Sequence, residues 1–298
     1  MTDQNRGYVL TLLGFGLWGV FPLFFKQLDH IPPGEIIAHR IIWTLIVAGL
    51  VAGWLGRLGR AFAVLRDPRG RLIMFGSTVM IGMNWSLFVY AVVSGQALEA
   101  SLGYFINPLV SVALGLVVLK ERMSPLQAGA VALAMVGVGQ HIVGVGELPW
   151  IALTLAVSFG VYGLLRKIAT IESLEGLVIE SALLAPAAAL CLALWQADGG
   201  LVVKPWVVSL DSLWLVALGV VTALPLLCFA AGARLIPLSH VGLCQYITPT
   251  LQFSIAVFVF DEAFTTGHLI TFGLVWMGLA LFTIDLLRGH GRNRQNAH

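Results

Sequence analysis

Ten stretches of roughly 20 mainly apolar residues run through this chain, and the short segments between them hold most of its charge. A helix that crosses a bilayer needs about that length, because the hydrocarbon core is about 30 Å thick. On this criterion spans are predicted at 7–25, 35–55, 72–94, 97–119, 125–143, 149–165, 175–195, 212–233, 238–260 and 266–287. Only 11% of the 298 residues are charged, whereas a soluble domain needs roughly 25% to face water. The net charge of +2 is too small to argue for nucleic acid as a partner. A single Arg6 precedes the first span and no small-residue cleavage site follows it, so this span reads as a retained helix and not a signal peptide. Cys191, Cys228 and Cys244 sit in apolar runs without metal-type spacing, so no metal site is expected.

The basic residues test the count, because cytoplasmic loops are enriched in Lys and Arg. With the N-terminus inside, the inner segments hold Arg6, Arg57, Arg60, Arg66, Arg69, Arg71, Lys120, Arg122, Arg166, Lys167, Arg234, Arg288, Arg292 and Arg294, which is 14 of the 17. Lys26 and Lys204 fall outside, and Arg40 lies within a span. A miscounted span would scramble the alternation from that point on. It stays regular, which places both termini in the cytoplasm.

The chain also matches itself at an offset of 141 residues. Trp18-Gly19-Val20-Phe21 falls on Phe159-Gly160-Val161-Tyr162, Lys26 on Lys167, Phe88 on Phe229, Pro108 on Pro249, Glu121 on Glu262 and Gly137 on Gly278. Each half then has five spans. An odd number sends the second half into the membrane from the opposite side, an inverted repeat of the kind found in secondary transporters, whose substrates sit near the midplane. The expected fold is thus all-α, with ten transmembrane helices as two five-helix repeats, 1–146 and 147–288, and a cytoplasmic tail at 289–298.

Candidate site residues follow from polar groups in these spans. Pro108 and Pro249 lie near the centres of spans four and nine, and each is expected to kink its helix and free the carbonyl four residues earlier. Tyr104, Asn107 and Ser111 share one helical face, and the shifted face carries Gln245, Thr248 and Gln252. Such stripes line a cavity for a polar solute or serve as packing glue between helices. Asn84 and Trp85, with Trp18 and the paired Tyr162, are further candidates. Ionisable residues are costly in a membrane and so count as functional candidates. Glu35, His39 and Arg40 share span two, and Arg40 is expected to pair with Glu99 or Glu35 as an outer gate or a structural staple. Glu180 is expected near Arg166, Lys167 or Arg234. Glu121 and Glu262 read as structural groups at the N-termini of the fifth and tenth helices. No catalytic motif is present, and neither an enzyme activity nor a cofactor is expected.

The chain resembles the RarD-type branch of EamA-domain proteins in the drug/metabolite transporter superfamily. The likeness rests on Leu17-Trp18-Gly19 with Pro22, the run from Glu35 through His39-Arg40 to Trp43, Asn84-Trp85, and Leu98-Glu99 through Tyr104-Phe105-Ile106-Asn107-Pro108. It continues through Lys120-Glu121-Arg122, Leu148-Pro149-Trp150, Ser158 to Tyr162, Gly219 to Pro225, and Gln245 to Gln252, where Thr248 replaces a more usual alanine. The resemblance implies a multi-pass protein of the bacterial inner membrane with two EamA domains, acting on a small metabolite or drug such as an amino acid or a chloramphenicol-like solute, in the efflux direction. Partners are then a small-molecule solute and the lipid bilayer, with a homodimer left open. A passive channel for small solutes is the alternative.

Overall fold

The computed structural model describes residues 3–119, 124–145, 148–204, 208–233, 235–236 and 244–295, and among them there is no strand. The first span is two helices, α1 (Asp3–Gly19) and α2 (Phe21–Lys26), separated at Val20 because Pro22 opens a new first turn. Then come α3 (Pro33–Trp54), a short α4 (Leu58–Ala63) with a 3₁₀ turn (Val64–Arg66), α5 (Pro68–Val93) and α6 (Ala97–Leu119). Helix α7 (Pro125–Val145) completes the first half, and the second half adds α8 (Trp150–Ile168), α9 (Ser173–Ala197), α10 (Leu210–Ala233), α11 (Ile247–Phe258) and α12 (Thr266–Gln295).

Local chemistry sets several of these boundaries. The Asp67 carboxylate accepts from the Gly70 amide at 2.7 Å with Pro68 behind it, which starts α5 four residues before the predicted 72. Ser124 and Gln127 form a reciprocal capping box, each side chain accepting from the other's amide at 3.1 Å. Gly95 takes the left-handed conformation, φ 72°, that lets α5 turn back into α6 within three residues.

Leu50, Leu72, Phe75 and Met135 are exposed, whereas Glu35, Arg40, Asn84, Asn107, Glu175, Glu180 and Gln252 are buried. That distribution suits a lipid solvent and not water. Among the described residues six stretches are long and apolar enough to cross a membrane: Asp3–Lys26, Pro33–Trp54, Pro68–Val93, Ser173–Ala197, Leu210–Phe229 and Thr266–Asp285. Pro125–Gln140, Trp150–Arg166 and Ile247–Phe258 are apolar but shorter.

Two expectations change. Helix α11 begins at Ile247, so Pro249 lies in its first turn, where the missing N–H costs no hydrogen bond; residues 237–243 of the predicted ninth span lie outside the described residues. The Gln245 carbonyl is not free, since it accepts from the Thr248 amide at 3.2 Å. The equivalent α6 runs on as helix through Pro108. At the C-terminus, helix α12 continues to Gln295 across most of the stretch read as a tail.

The helices pack where small residues let backbones approach. Helix α7 lies on α12, with the Cβ position of Gly278 only 2.8 Å from the Ala130 carbonyl oxygen and that of Gly137 3.2 Å from the Thr271 carbonyl oxygen. Helix α3 packs on α9 and α10, α1 on α10 and α11, α6 on α8 and α11, and α5 on α8 and α9.

Candidate functional site

Helix α3 presents Ile36, Arg40, Thr44, Ala48 and Ala52 as one buried stripe, because residues four apart share a helical face. Arg40 therefore points into the bundle with only 3% of its surface exposed. Its Nε donates to the Thr222 hydroxyl of α10 at 3.2 Å. The guanidinium lies 4.6 Å from the Trp85 ring centroid, 5.6 Å from Phe25 and 5.9 Å from Phe21. Tyr104 on α6 is within electrostatic reach. Among the described residues the buried Nη1 has no hydrogen-bond partner and Arg40 forms no ion pair.

The expected partner Glu35 is engaged elsewhere. Its two carboxylate oxygens accept from the backbone amides of Val202 and Val203, at 3.1 and 2.9 Å. Glu99 lies in the first turn of α6, half-buried. His39 sits beside Arg40, half-buried and off the stripe.

Next to Arg40, Asn84 acts as a hub. Tyr104 donates to its carbonyl oxygen at 3.2 Å, and its amide donates to the Leu155 carbonyl at 3.1 Å and the Ser158 hydroxyl at 3.0 Å. Asn107 is buried where α6 meets Gly160 of α8, and its Oδ1 has no hydrogen-bond partner among the described residues. Four candidates, Asn84, Trp85, Tyr104 and Arg40, thus come together around one buried cation.

The others do not join them. Thr248 donates to the Phe15 carbonyl at 2.8 Å and Gln252 to the Trp18 carbonyl at 3.2 Å, binding α11 to α1. Trp18 packs in that junction with Phe15 and Phe229. Tyr162 donates to Glu180 at 3.3 Å, in a separate cluster where Ser77 donates to the same carboxylate at 2.7 Å and Arg166 lies 3.9 Å away. Gln245 is half-buried in the turn before α11. The side chains of Pro108, Ser111 and Lys167, together with Glu121 and Arg234, lie outside the described residues.

Glu262 has a different place from the one expected. Asp261 adopts φ 54°, a left-handed conformation that aspartate tolerates better than most residues. This turn delivers the Glu262 carboxylate to the amides of Ala97 and Leu98, at 2.8 and 2.7 Å. The group caps α6 and not the helix that follows it, and its burial pushes its pKa up.

Glu35 and Glu262 act at one end of the bundle. There Leu28, Ile31 and Ile36 are fully buried with Phe25, His30 lies 3.2 Å from Asp211, and Lys26 sits over the Phe260 ring. Phe21, Phe25 and Thr222 belong to the Arg40 site but were not singled out from the sequence as site residues. Phe21 and Thr222 fall within the Trp18–Phe21 and Gly219–Pro225 runs, whereas no sequence signal marks Phe25.

Comparison with known proteins bears on what such a bundle is. The EamA-like transporter family model matches residues 5–139. Protein RarD of Escherichia coli is 39% identical over 285 residues, covering 96% of both chains. The chain belongs to the RarD-type branch of the EamA family. It is a multi-pass membrane transporter of the drug/metabolite type. Other relatives are transporters by name: an uncharacterized transporter of Pseudomonas aeruginosa is 42% identical over 286 residues, 96% of each chain. YojE of Bacillus subtilis, also called an uncharacterized transporter, is 40% identical over 291 residues, again 96% of each. A solved crystal structure 22% identical superposes with a TM-score of 0.60 over 95% of this chain and 99% of that one, and supports the fold alone.

Proposed function

We propose that this RarD-type protein is a secondary transporter that moves a small metabolite or drug across the bacterial inner membrane by alternating access. In this reading ten spans form two inverted five-helix repeats, both termini are cytoplasmic, and the solute binds beside Arg40, Asn84, Trp85 and Tyr104.

The carrying observation is how one end is shut. Glu35 of the first half grips the amides of residues 202 and 203 in the second, and Glu262 of the second half grips those of residues 97 and 98 in the first. Charge alternation assigns this end to the outside. Opening it releases four hydrogen bonds to water without breaking any helix.

The helix contacts support a second, opposite conformation. Under the 141-residue shift the α6–α8 contact becomes α11–α1, α3–α10 becomes α9–α5, and α5–α8 becomes α10–α1. The α7–α12, α3–α9 and α6–α11 contacts map onto themselves. Gly137 on Thr271 likewise exchanges with Gly278 on Ala130. An arrangement that survives exchange of its halves has a counterpart in which the other end is shut.

Counterflow in proteoliposomes tests the reading. A carrier exchanges labelled solute for unlabelled with saturable kinetics. Linear, non-saturable flux without exchange would sink the proposal in favour of a passive channel.

A further inference from the structure

The geometry points to Arg40 as the receptor for a carboxylate: the solute of this transporter is a small amphipathic monocarboxylate, held by Arg40 Nη1 with its apolar body against Trp85, Phe21 and Phe25. This rests on the transporter reading above and adds the chemical class of what is carried.

A buried arginine needs compensation. Desolvating one ion costs several kcal/mol even after relaxation, whereas a cation–π contact contributes about 2 kcal/mol at best. Here one ring is close, at 4.6 Å, and two are near the limit, at 5.6 and 5.9 Å. The rings and one Thr222 bond do not balance the cost. A charge is left for an anion to neutralise.

The unmet hydrogen-bonding group selects the anion. Aromatic rings lie 4.6–5.9 Å from the guanidinium carbon and Thr222 takes Nε, which leaves the buried Nη1, in the guanidinium plane, without an acceptor among the described residues. Carboxylates bind arginine in that plane. Among the described residues the groups facing Arg40 are Thr222, Trp85, Phe21, Phe25 and Tyr104, with no second cation among them. One positive charge matches one negative charge, and a phosphate-like dianion would leave excess charge buried. The Tyr104 hydroxyl donates its hydrogen bond to the Asn84 carbonyl oxygen, which fixes the ring beside the site.

The test uses the full-length protein in detergent and a panel of small aromatic and aliphatic monocarboxylates, each beside its neutral amide, with 3-phenylpropionate and 3-phenylpropionamide as the lead pair. Acids are expected to raise the melting temperature more than their amides. In Arg40→Met, binding of the best acid is expected to weaken by at least about 30-fold, in line with truncating one partner of a buried charge pair. The empty Arg40→Met protein is expected to melt higher than wild type, since an uncompensated charge is gone; a merely structural arginine predicts the reverse. If no acid stabilises more than its amide, or if Arg40→Met keeps the acid response, the proposal is overturned. Should Arg40→Met fail to fold, the wild-type acid and amide comparison decides alone. Saturable counterflow of neutral solutes without acid binding refutes this inference and leaves the transporter reading standing. Acid binding through Arg40 without any exchange does the opposite.

Discussion

Replacing Glu35 by Gln changes one atom of a buried side chain and should unlatch one end of the bundle. The Glu35 carboxylate is 1% exposed and accepts from two amides, at 2.9 and 3.1 Å. A hydrogen bond to a charged group contributes about 1.5–3 kcal/mol, and an orphaned buried donor costs a comparable amount. Glutamine keeps one acceptor, turns its bond into a neutral one, and sets an NH₂ against the second amide. The closed end should lose about 2–4 kcal/mol relative to an open end in which water replaces the carboxylate, a shift of about 30- to 700-fold in the open fraction. Leu28 is fully buried behind this latch. In a background lacking Cys191, Cys228 and Cys244, a Leu28→Cys probe should react with an impermeant maleimide added outside cells. Glu35→Gln should raise that rate at least about 10-fold, as labelling follows the open population. Unchanged labelling in a well-folded variant would refute the latch.

Glu262→Gln should act in the same direction, and the double variant should exceed either single one in labelling rate. At the α7–α12 contact, Gly278→Ala should lower the melting temperature more than Gly137→Ala, because the new methyl would sit 2.8 Å and not 3.2 Å from a carbonyl oxygen; the stability costs should be about 1–3 kcal/mol and smaller, respectively. Around Glu180, Ser77→Ala should destabilise more than Tyr162→Phe, since its bond is 2.7 Å against 3.3 Å; thermal melting of both variants checks the order.

Much of this architecture was legible in the chain because lipid imposes a simple code. Apolar length marks the helices, and the buried place of Arg40 follows from the four-residue stripe of α3. What the sequence hid was tertiary. Thr222 reaches Arg40 across 182 positions, and no pattern announces that meeting. Glu35 and Glu262 bind backbone amides, which every residue but proline has, so sequence gives no cue to their partners. Pro108 and Pro249 look alike as letters, yet one lies within α6 and the other in the first turn of α11. The two prolines therefore differ in their local surroundings although they stand 141 residues apart.

The two carboxylate grips have one more consequence. A bolt that catches main chain does not read the identity of its keeper. Val202 is half-exposed at its side chain while its amide is held, so almost any residue could stand there without loosening the hold. Only proline, which has no N–H, would spring it. Mutational drift in the loop after α9 can therefore change the side chains at that end of the bundle while the hydrogen bonds from its amides to Glu35 stay the same.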